Sequence, residues 1–574
     1  SDPNETIKTL TGFMKELGYE TKEANSVKKE KPILVVMGNP PYSVSSSNKS
    51  EWISKLMKDY KEELEERNIQ PLDDDYIKFI RFAQWKIEQN DNGIVGIITN
   101  NGYLDGIIHR EMRKKLMKTF NRIYILNLHG DLRKKERTPD GSKDENVFDI
   151  QQGVCIGFFI KNKMVSGNKV FYADLYGKRE KKYSYLYEHK FGENIWEELD
   201  TDEPYYFFTK KDLSNKEKYA RFVKITDIFE EYTYGIKSSR DDLVVGFSKG
   251  ELIERFNILI SKKSDQEVKQ LLNIEDTSTW KLSKAREGLE SKNIDDLLLK
   301  YEFRPFDTRW IIYDPNLVER SRYKVMKNII SHENLVIVCV KQNKGEQVHT
   351  LITNNIGCCD YITNHSFFFP LYTFNEGTMN AEQRTFTENT IKLKSGKIPN
   401  FKEEFINDIN KKYNGKQITP EEILGYIYAV LYSPMYRKKY KEFLKIDFPS
   451  IPFVKDYSNF KKLSELGIKL MDIHLEKTNL SKNIAKFEIV GSNEVKFVEY
   501  KGDKVYINDT QYFGNIPKEI WNFWIGGYQV LDKWLKSRRG HKLSHQDIEH
   551  FVNIVNIIND TIKIMKEIDK IKID

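Results

Sequence analysis

Four cysteines in 574 residues (Cys155, Cys339, Cys358 and Cys359), none in a CxxC pair, are too few and too irregularly spaced for a disulfide framework or a thiolate zinc site. That excludes the small disulfide-stapled scaffolds and favours a reducing, cytoplasmic setting. Long apolar runs are missing too: none approaches the roughly 20 residues that span a bilayer. The mean hydropathy is -0.61, and the polar start Ser1-Asp2-Pro3 has no signal-peptide core. Membrane partners are therefore not expected. There is no GxxxxGK[ST] phosphate loop and no PD...ExK cluster, so helicase and nuclease chemistry are not read from this stretch. His541 and His545 sit four apart without a Glu between them or a third ligand, and no metal site is assigned. Adjacent Cys358 and Cys359 read as core packing. Charge of one sign is barely in excess, with 92 Lys and Arg against 85 Asp and Glu, net +7. This permits a local polyanion-binding patch without requiring one.

What is present is apolar material in quantity: 39% of residues are hydrophobic and 13% aromatic. At roughly 150 residues per domain, the length predicts two to four domains. Pro32-Ile-Leu-Val-Val-Met37 is a buried-strand run that stops at Gly38-Asn39-Pro40-Pro41-Tyr42. Helical spacing from Tyr76 to Gln89 (Phe79, Phe82, Ala83, Trp85), a strand at Ile94–Ile98, a helix at 106–119 and strands at Ile123–Leu128 and Val154–Ile160 follow. This alternation predicts an α/β parallel sheet. Thr138-Pro-Asp-Gly-Ser-Lys-Asp-Glu-Asn146 reads as a mobile polar loop. Beyond about Val170 the texture becomes mixed, with strands near Trp310–Tyr313 and Leu335–Val340. A linker or irregular insertion is placed at about 375–416. Thr419-Pro-Glu-Glu422 marks a helix start, and 544–573 reads as one or two helices.

One segment is strongly basic. From Leu104 to Arg137 there are ten Lys and Arg against four Asp and Glu, a pattern equally suited to a solvated helix face. The sharpest chemical signal is Asn39-Pro40-Pro41-Tyr42. An amine conjugated to an aromatic ring is a poor nucleophile. The Asn39 amide oxygen and the Pro40 carbonyl can accept both of its protons and free the lone pair, while the two prolines preorganise the loop and Tyr42 offers a stacking face. The bland alternative is a proline-rich turn after a strand.

These residues, with Asn92-Gly-Ile-Val-Gly-Ile-Ile-Thr-Asn100, Arg122-Ile-Tyr-Ile-Leu-Asn-Leu128 and Asn146-Val-Phe-Asp-Ile-Gln-Gln-Gly-Val-Cys-Ile-Gly-Phe-Phe-Ile160, resemble the later motifs of the N6-adenine DNA methyltransferases. The resemblance makes Asn39, Pro40 and Tyr42 the catalytic residues and Phe148 a second base-stacking aromatic, the alternative for Phe148 being core packing. Tyr301-Glu-Phe-Arg-Pro-Phe-Asp-Thr-Arg-Trp-Ile-Ile-Tyr-Asp314, Val318-Glu-Arg-Ser-Arg-Tyr-Lys-Val-Met326, Tyr426-Ile-Tyr-Ala-Val-Leu-Tyr-Ser-Pro-Met-Tyr-Arg437, Phe448-Pro-Ser-Ile-Pro452 and Ile525-Gly-Gly-Tyr-Gln-Val-Leu-Asp-Lys-Trp-Leu535 are similar, more narrowly, to the methyltransferase and target-recognition portion of type ISP (single-polypeptide) restriction-modification enzymes.

The resemblance implies double-stranded DNA with a flipped adenine as partner and S-adenosylmethionine as cofactor. It tilts the basic segment toward phosphate contact, with Lys134, Lys135 and Arg137 as DNA-binding residues. Arg304, Arg309, Arg320 and Arg322 become candidate base readers, each of which could equally be a structural ion pair. The chain departs from the family in having no Gly-rich strand-to-helix turn upstream of Asn39. Val245-Gly-Phe-Ser-Lys-Gly250 and Gly526-Gly527 are poor substitutes.

The expected architecture is therefore α/β: a partial Rossmann-like methyltransferase sheet, its later half, over 1–200, and a large mixed α+β target-recognition region over 201–574, with a subdivision near 375–416. The chain alone should bind S-adenosylmethionine weakly or not at all. The upstream methyltransferase half, helicase and nuclease would lie in the same full-length polypeptide or a partner chain. A helix at Glu5–Leu17 is expected to cover the sheet edge. The alternative function is a DNA-binding specificity module without catalysis; an RNA or protein-glutamine methyltransferase is a third reading.

Overall fold

The computed structural model describes residues 31–66, 68–133, 136–192, 196–343, 347–363, 365–374, 396–478 and 484–574. The chain divides into two compact units between Asp212 and Leu213. Among the described residues no helix is long and apolar enough to cross a membrane.

The first unit is built on a six-stranded sheet: β1 (Val35–Gly38), β2 (Asn92–Asn100), β3 (Arg122–His129), β4 (Val154–Asn162), β5 (Lys169–Asp174) and β6 (Glu197–Leu199), in the order β1-β2-β4-β3-β5-β6. β1 runs parallel to β2, and β3 to β5. β4 is antiparallel to both β2 and β3, and β6 to β5. The alternating pattern predicted parallel pairing throughout; the difference arises because the described part of the connection 130–153 contains no helix to carry the chain back, so β4 returns antiparallel. Helices α1 (Glu51–Met57), α2 (Asp75–Glu88), α3 (Arg110–Thr119) and α4 (Arg179–Glu188) belong to the same unit.

α2 carries two apolar stripes. Tyr76, Ile77, Ile80, Ala83 and Ile87 are the buried one. Phe82 and Trp85 instead meet Trp52 of α1 edge-on, at 5.9 and 4.9 Å between centroids, and Phe79 is exposed. β1 is an edge strand among the described residues, with Val35 60% and Met37 81% exposed. The expected helix at Glu5–Leu17 lies outside the described residues.

The second unit holds two four-stranded sheets. β7 (Thr233–Tyr234), β11 (Val336–Val340), β12 (Thr350–Thr353) and β14 (Ser366–Pro370) form one in the order β12-β11-β14-β7. β8 (Val245–Gly246), β9 (Leu298–Arg304), β10 (Asp307–Ile312) and β13 (Ile356–Gly357) form the other in the order β13-β9-β10-β8. β11 and β14 are buried at every residue, which their unbroken apolar sequences require. Helix α5 (Tyr323–Ile330) precedes β11.

The segment 375–416 differs from a linker: its described part contains a strand, β16 (Lys397–Pro399), paired with β15 (Tyr372–Phe374), and helix α6 (Glu403–Lys412), whose Phe405 and Ile409 are buried. Its polar composition hides an amphipathic helix. α7 (Pro420–Tyr432) starts at Thr419 with a capping box closed by Glu422, as the sequence indicates. α9 (His545–Ile568) is a single helix capped by Ser544. α7 crosses α8 (Tyr457–His474) at a pair of glycines so close that a Cβ on Gly467 would lie 1.8 Å from the Gly425 carbonyl oxygen.

Candidate functional site

The tetrad Asn39–Tyr42 leaves the carboxyl end of β1, where a parallel strand hands its chain to a loop. Pro40 is buried and Asn39 exposed. The Tyr42 hydroxyl donates to Asn39 Oδ1 at 3.1 Å and lies 3.4 Å from the Ile98 carbonyl of β2. Its ring meets Tyr76 edge-on, with centroids 6.1 Å apart. Burial, with Cys155 and Asp74 nearby, pushes the phenol up to about 12, so it stays a neutral donor.

The loop that follows is tied to α2. Ser43 N–H donates to Asp74 Oδ1 at 2.7 Å, Ser46 Oγ to Asp75 Oδ1, and the buried Lys78 ammonium to Ser46 Oγ at 2.9 Å and the Asn48 carbonyl at 2.6 Å. Burial raises the Asp74 carboxyl even though backbone N–H groups of Ser43 and Tyr76 favour its charged form. These anchors carry no sequence signature; they are found only once α2 is folded beside the tetrad.

Phe148 sits in the β3–β4 connection. It and Tyr42, both half-buried, pack on one apolar cluster formed by Leu126, Leu128, Val147 and Val154, with Ile98 and Ile156 beside them. The fold thus brings the two sequence-selected aromatics to the same patch. The Phe148 loop is pinned from several sides. Asn146 Oδ1 accepts from Phe148 N–H at 2.9 Å, and its amide donates to the carbonyls of Gln152 and Gly130 at 2.6 and 3.2 Å. Gly130 has φ +80°, and a Cβ there would strike Asn146 Cα at 2.4 Å, so only glycine fits. Arg179 of α4 donates to the carbonyls of Asn146 and Phe148 at 2.8 and 3.0 Å. Lys182, fully buried, reaches the carbonyls of Leu128 and Glu145 at 2.7 and 2.6 Å and pairs with Asp144 at 2.9 Å.

Beneath this loop runs a polar chain. Asn101 donates to Asn127 at 3.1 Å, Asn127 to the Tyr172 hydroxyl at 3.0 Å, and Tyr172 to Asp174. Asp174 also meets His129 Nε2 at 2.8 Å, while Glu136 meets His129 Nδ1 at 2.7 Å. Burial opposes charge on the imidazole, but the two carboxylates outweigh it and raise His129 above 6.5. With an anion at each ring nitrogen, His129 donates from both.

The candidate DNA-binding residues separate. Lys134 and Lys135 lie outside the described residues. Arg137 is exposed at the start of a turn in which Thr138 and Ser142 bond each other and Asp140; the hydroxyls and N–H around Asp140 satisfy the chain locally and hold its carboxyl at about 2. The helical half of the basic segment is partly neutralised from within the unit. Arg110, Lys114 and Lys115 pair with Glu66, Glu63 and Glu62, and the buried Arg113 donates to the carbonyls of Tyr103, Gly106 and Tyr205.

In the second unit Arg309 binds Asp307 at 2.8 Å between Phe247 and Phe303, 4.2 and 3.9 Å from their centroids. Burial would raise the Asp307 carboxyl, but Arg538 and Arg309 hold it below its usual range. Arg304 stacks on Phe303 at 4.1 Å and donates to Cys358 Sγ at 3.4 Å. Both arginines are engaged by the core. Arg320 and Arg322 instead line an open cleft.

For a cofactor, the glycine-bearing segments offer little. Val245–Lys249 does form a strand-to-helix turn, but Ser248 and the Glu251 carboxylate already accept its N–H groups. Gly526 lies in a hairpin turn at φ +55°. Among the described residues no glycine-rich turn is left to hold the methionine and ribose of a nucleoside cofactor. Cys358, Cys359 and Asp360 place three possible metal ligands within 4.8 Å, but the Arg304 guanidinium already sits on Cys358 Sγ.

Residues 227–567 match the Type ISP C-terminal specificity domain, and residues 5–132 the Eco57I restriction-modification methylase. Among solved structures, the whole chain superposes on the ATP-dependent Type ISP restriction-modification enzyme LlaBIII bound to DNA, with 22% identity, a TM-score of 0.77 and 39% of that chain covered. A nuclease-deletion mutant of the Type ISP enzyme LlaGI in complex with a DNA substrate mimic matches over 97% of this chain and 55% of its own, at 21% identity and a TM-score of 0.73. The DrdV–DNA complex matches over 96% and 58%, at 21% identity and 0.74. The chain thus spans less than two thirds of the length of each. No curated protein sequence matches it.

Proposed function

Because the chain belongs to the Type ISP C-terminal specificity domain family, we propose that it recognises a DNA sequence and supplies the adenine pocket of an N6-adenine DNA methyltransferase within a restriction-modification enzyme. The observation that carries this reading is Asn39-Pro-Pro-Tyr at the end of β1, with Tyr42 and Phe148 on one apolar patch. The strand order supports it: β1-β2-β4-β3, with β4 antiparallel, fits the later half of a Rossmann-like methyltransferase sheet.

In this pocket a flipped adenine stacks between Tyr42 and Phe148. Its amino group takes over the Asn39 Oδ1 acceptor that Tyr42 now uses, and the Pro40 carbonyl accepts the second proton. Two acceptors set off the ring plane draw the nitrogen toward tetrahedral geometry and release its lone pair, so no strong base is needed before attack. S-adenosylmethionine supplies the methyl group in the complete enzyme; its methionine and ribose are expected to be held outside the described residues. Helicase and nuclease functions belong, on this reading, to other regions of the full-length polypeptide or to a partner chain.

The lack of a glycine-rich turn among the described residues favours one second reading, a specificity module that binds DNA without catalysis. Sequencing for N6-methyladenine in DNA from a host expressing the complete gene decides between them. Methylation at one motif, lost in Asn39→Ala while DNA affinity persists, is the expected result. Unmethylated DNA from the parent gene would sink the methyltransferase reading and leave the module.

A further inference from the structure

The four cysteines differ in what surrounds them. Cys155 in β4 and Cys339 in β11 are fully buried with no cation beside them, and burial pushes both thiols up, which makes them inert. Cys358, just past β13, is different. Two N–H donors converge on its sulfur: the guanidinium of Arg304, at the end of β9, from 3.4 Å and the Asp360 backbone N–H from 3.3 Å. The Cys359 sulfur and an Asp360 carboxylate oxygen lie within 4.8 Å of it.

The charge on Arg304 calls for an anion. Its guanidinium lies 4.1 and 5.5 Å from the ring centroids of Phe303 and Tyr528 and donates to the Phe303 carbonyl, but among the described residues no carboxylate comes within ion-pairing distance of it. A sulfur that accepts from this cation and from a backbone N–H supplies the anion as a thiolate. Donation by the Cys359 thiol and the charge of Arg304 draw Cys358 below its usual range against its burial, while Cys359, the donor of the pair, is pushed up. No step of the proposed methyl transfer uses this sulfur. Being 5% exposed, with Cys359 more open beside it, Cys358 is within reach of a molecule little larger than water and closed to bulky electrophiles.

We propose that Cys358 is a peroxide-reactive thiolate, a site of reversible oxidation in the second unit. The sulfur attacks one oxygen of hydrogen peroxide, the O–O bond breaks, and hydroxide leaves with the electron pair and takes a proton from solvent; Cys358 is oxidised by two electrons to a sulfenic acid as the peroxide is reduced. The neutral product no longer balances Arg304. It does so next to the hairpin at 524–529, whose Tyr528 hydroxyl donates to the Asp360 carbonyl at 3.1 Å. The Cys359 thiol can then condense with the sulfenic acid, forming a disulfide and releasing water. The inference is independent of the DNA-recognition reading.

The test uses the full chain carrying Cys359→Ser, which keeps a hydroxyl donor beside Cys358 but leaves the sulfenic acid no neighbouring thiol to consume it. The chain is treated with hydrogen peroxide, the excess is removed with catalase, and the chain is unfolded in dimedone so that access no longer matters. Peptide masses should show the adduct at Cys358 first, about tenfold or more ahead of Cys155 and Cys339, and dithiothreitol added before dimedone should abolish it. Adding Arg304→Met should slow labelling of Cys358 about tenfold, whereas Arg304→Lys, which keeps the charge, should retain most of the rate. First labelling at any other cysteine, equal labelling of all three, or a rate indifferent to the charge at position 304 would overturn the proposal. The first-labelled cysteine is read with Arg304 in place, so the test stands even if Arg304→Met unfolds.

Discussion

Asn39 and Tyr42 share a hydrogen bond, the Tyr42 hydroxyl donating to Asn39 Oδ1, that a base bound as proposed would have to break. Stacking and this bond can therefore be separated by mutation. Tyr42→Phe should keep base capture, whereas Tyr42→Ala should weaken it by about 1 to 3 kcal/mol, the usual worth of base stacking on an aromatic ring. A fluorescent adenine analogue at the target position reports both, and identical emission for parent and Tyr42→Ala would contradict the stacking role. Asn39→Ala, by removing an acceptor that matters most in the transition state, should slow methyl transfer in the assembled enzyme about a hundredfold or more.

His129 adds a pH dependence. Its folded pKa is raised above 6.5, so the stability it contributes is complete below that value and is lost as pH rises through the raised one. Asp174, lowered from 3.8 by His129 and Tyr172 despite its burial, contributes above 3.8 and loses that contribution as pH falls. The clamp on the Phe148 loop is tightest between these limits. Denaturant titrations of parent and His129→Gln should diverge most in mildly acidic solution and converge on the alkaline side; parallel curves would refute the clamp. Asn39, Tyr42 and Phe148, the residues of the proposed pocket, could be singled out in the sequence because each belongs to a contiguous motif. His129, Lys78 and Lys182 could not, because their partners lie far along the chain and meet them only after folding.

At the scale of elements, the α7–α8 crossing rests on Gly425 and Gly467. Gly467→Ala would force a methyl group into the Gly425 carbonyl, and with backbone on the other side nothing flexible can yield. A loss of about 3 kcal/mol is expected in equilibrium unfolding of the chain, and a variant as stable as the parent would mean that the helices can part freely. Neither glycine is exceptional in the sequence, where each interrupts a helical pattern only mildly. The positions of β1 to β4 and the helix start at Thr419 were readable, because buried strands and N-caps are local patterns, whereas β5 and β6 were not. The direction of β4 was not: orientation depends on what connects two strands, and a long polar loop looks the same whether the chain turns back or crosses over. The helix α6 was missed because its apolar positions are few among lysines and acids.

For the molecule as a whole, a net charge of +7 conceals local cancellation. Three of the five cations of α3, Arg110, Lys114 and Lys115, are matched by Glu66, Glu63 and Glu62. Neutralising Lys134, Lys135 and Arg137 together should lower affinity for all DNA sequences alike and flatten the salt dependence by about 2 to 3 units; loss confined to one base position would make them readers instead. Titration calorimetry of S-adenosylmethionine into this chain should show no micromolar binding, and micromolar binding would mean that a cofactor turn lies in it after all.

β1 bears on how such measurements read. Among the described residues the strand is paired on one side only, to β2, and it leads straight into Asn39. A strand paired on one side opens locally at lower cost than a central one, and the placement of the proposed amine acceptors would follow that local opening. Mild denaturant should disable base capture well before the far-ultraviolet signal changes, and deuterium uptake across Val35–Gly38 would measure, peptide by peptide, how firmly the pocket is held.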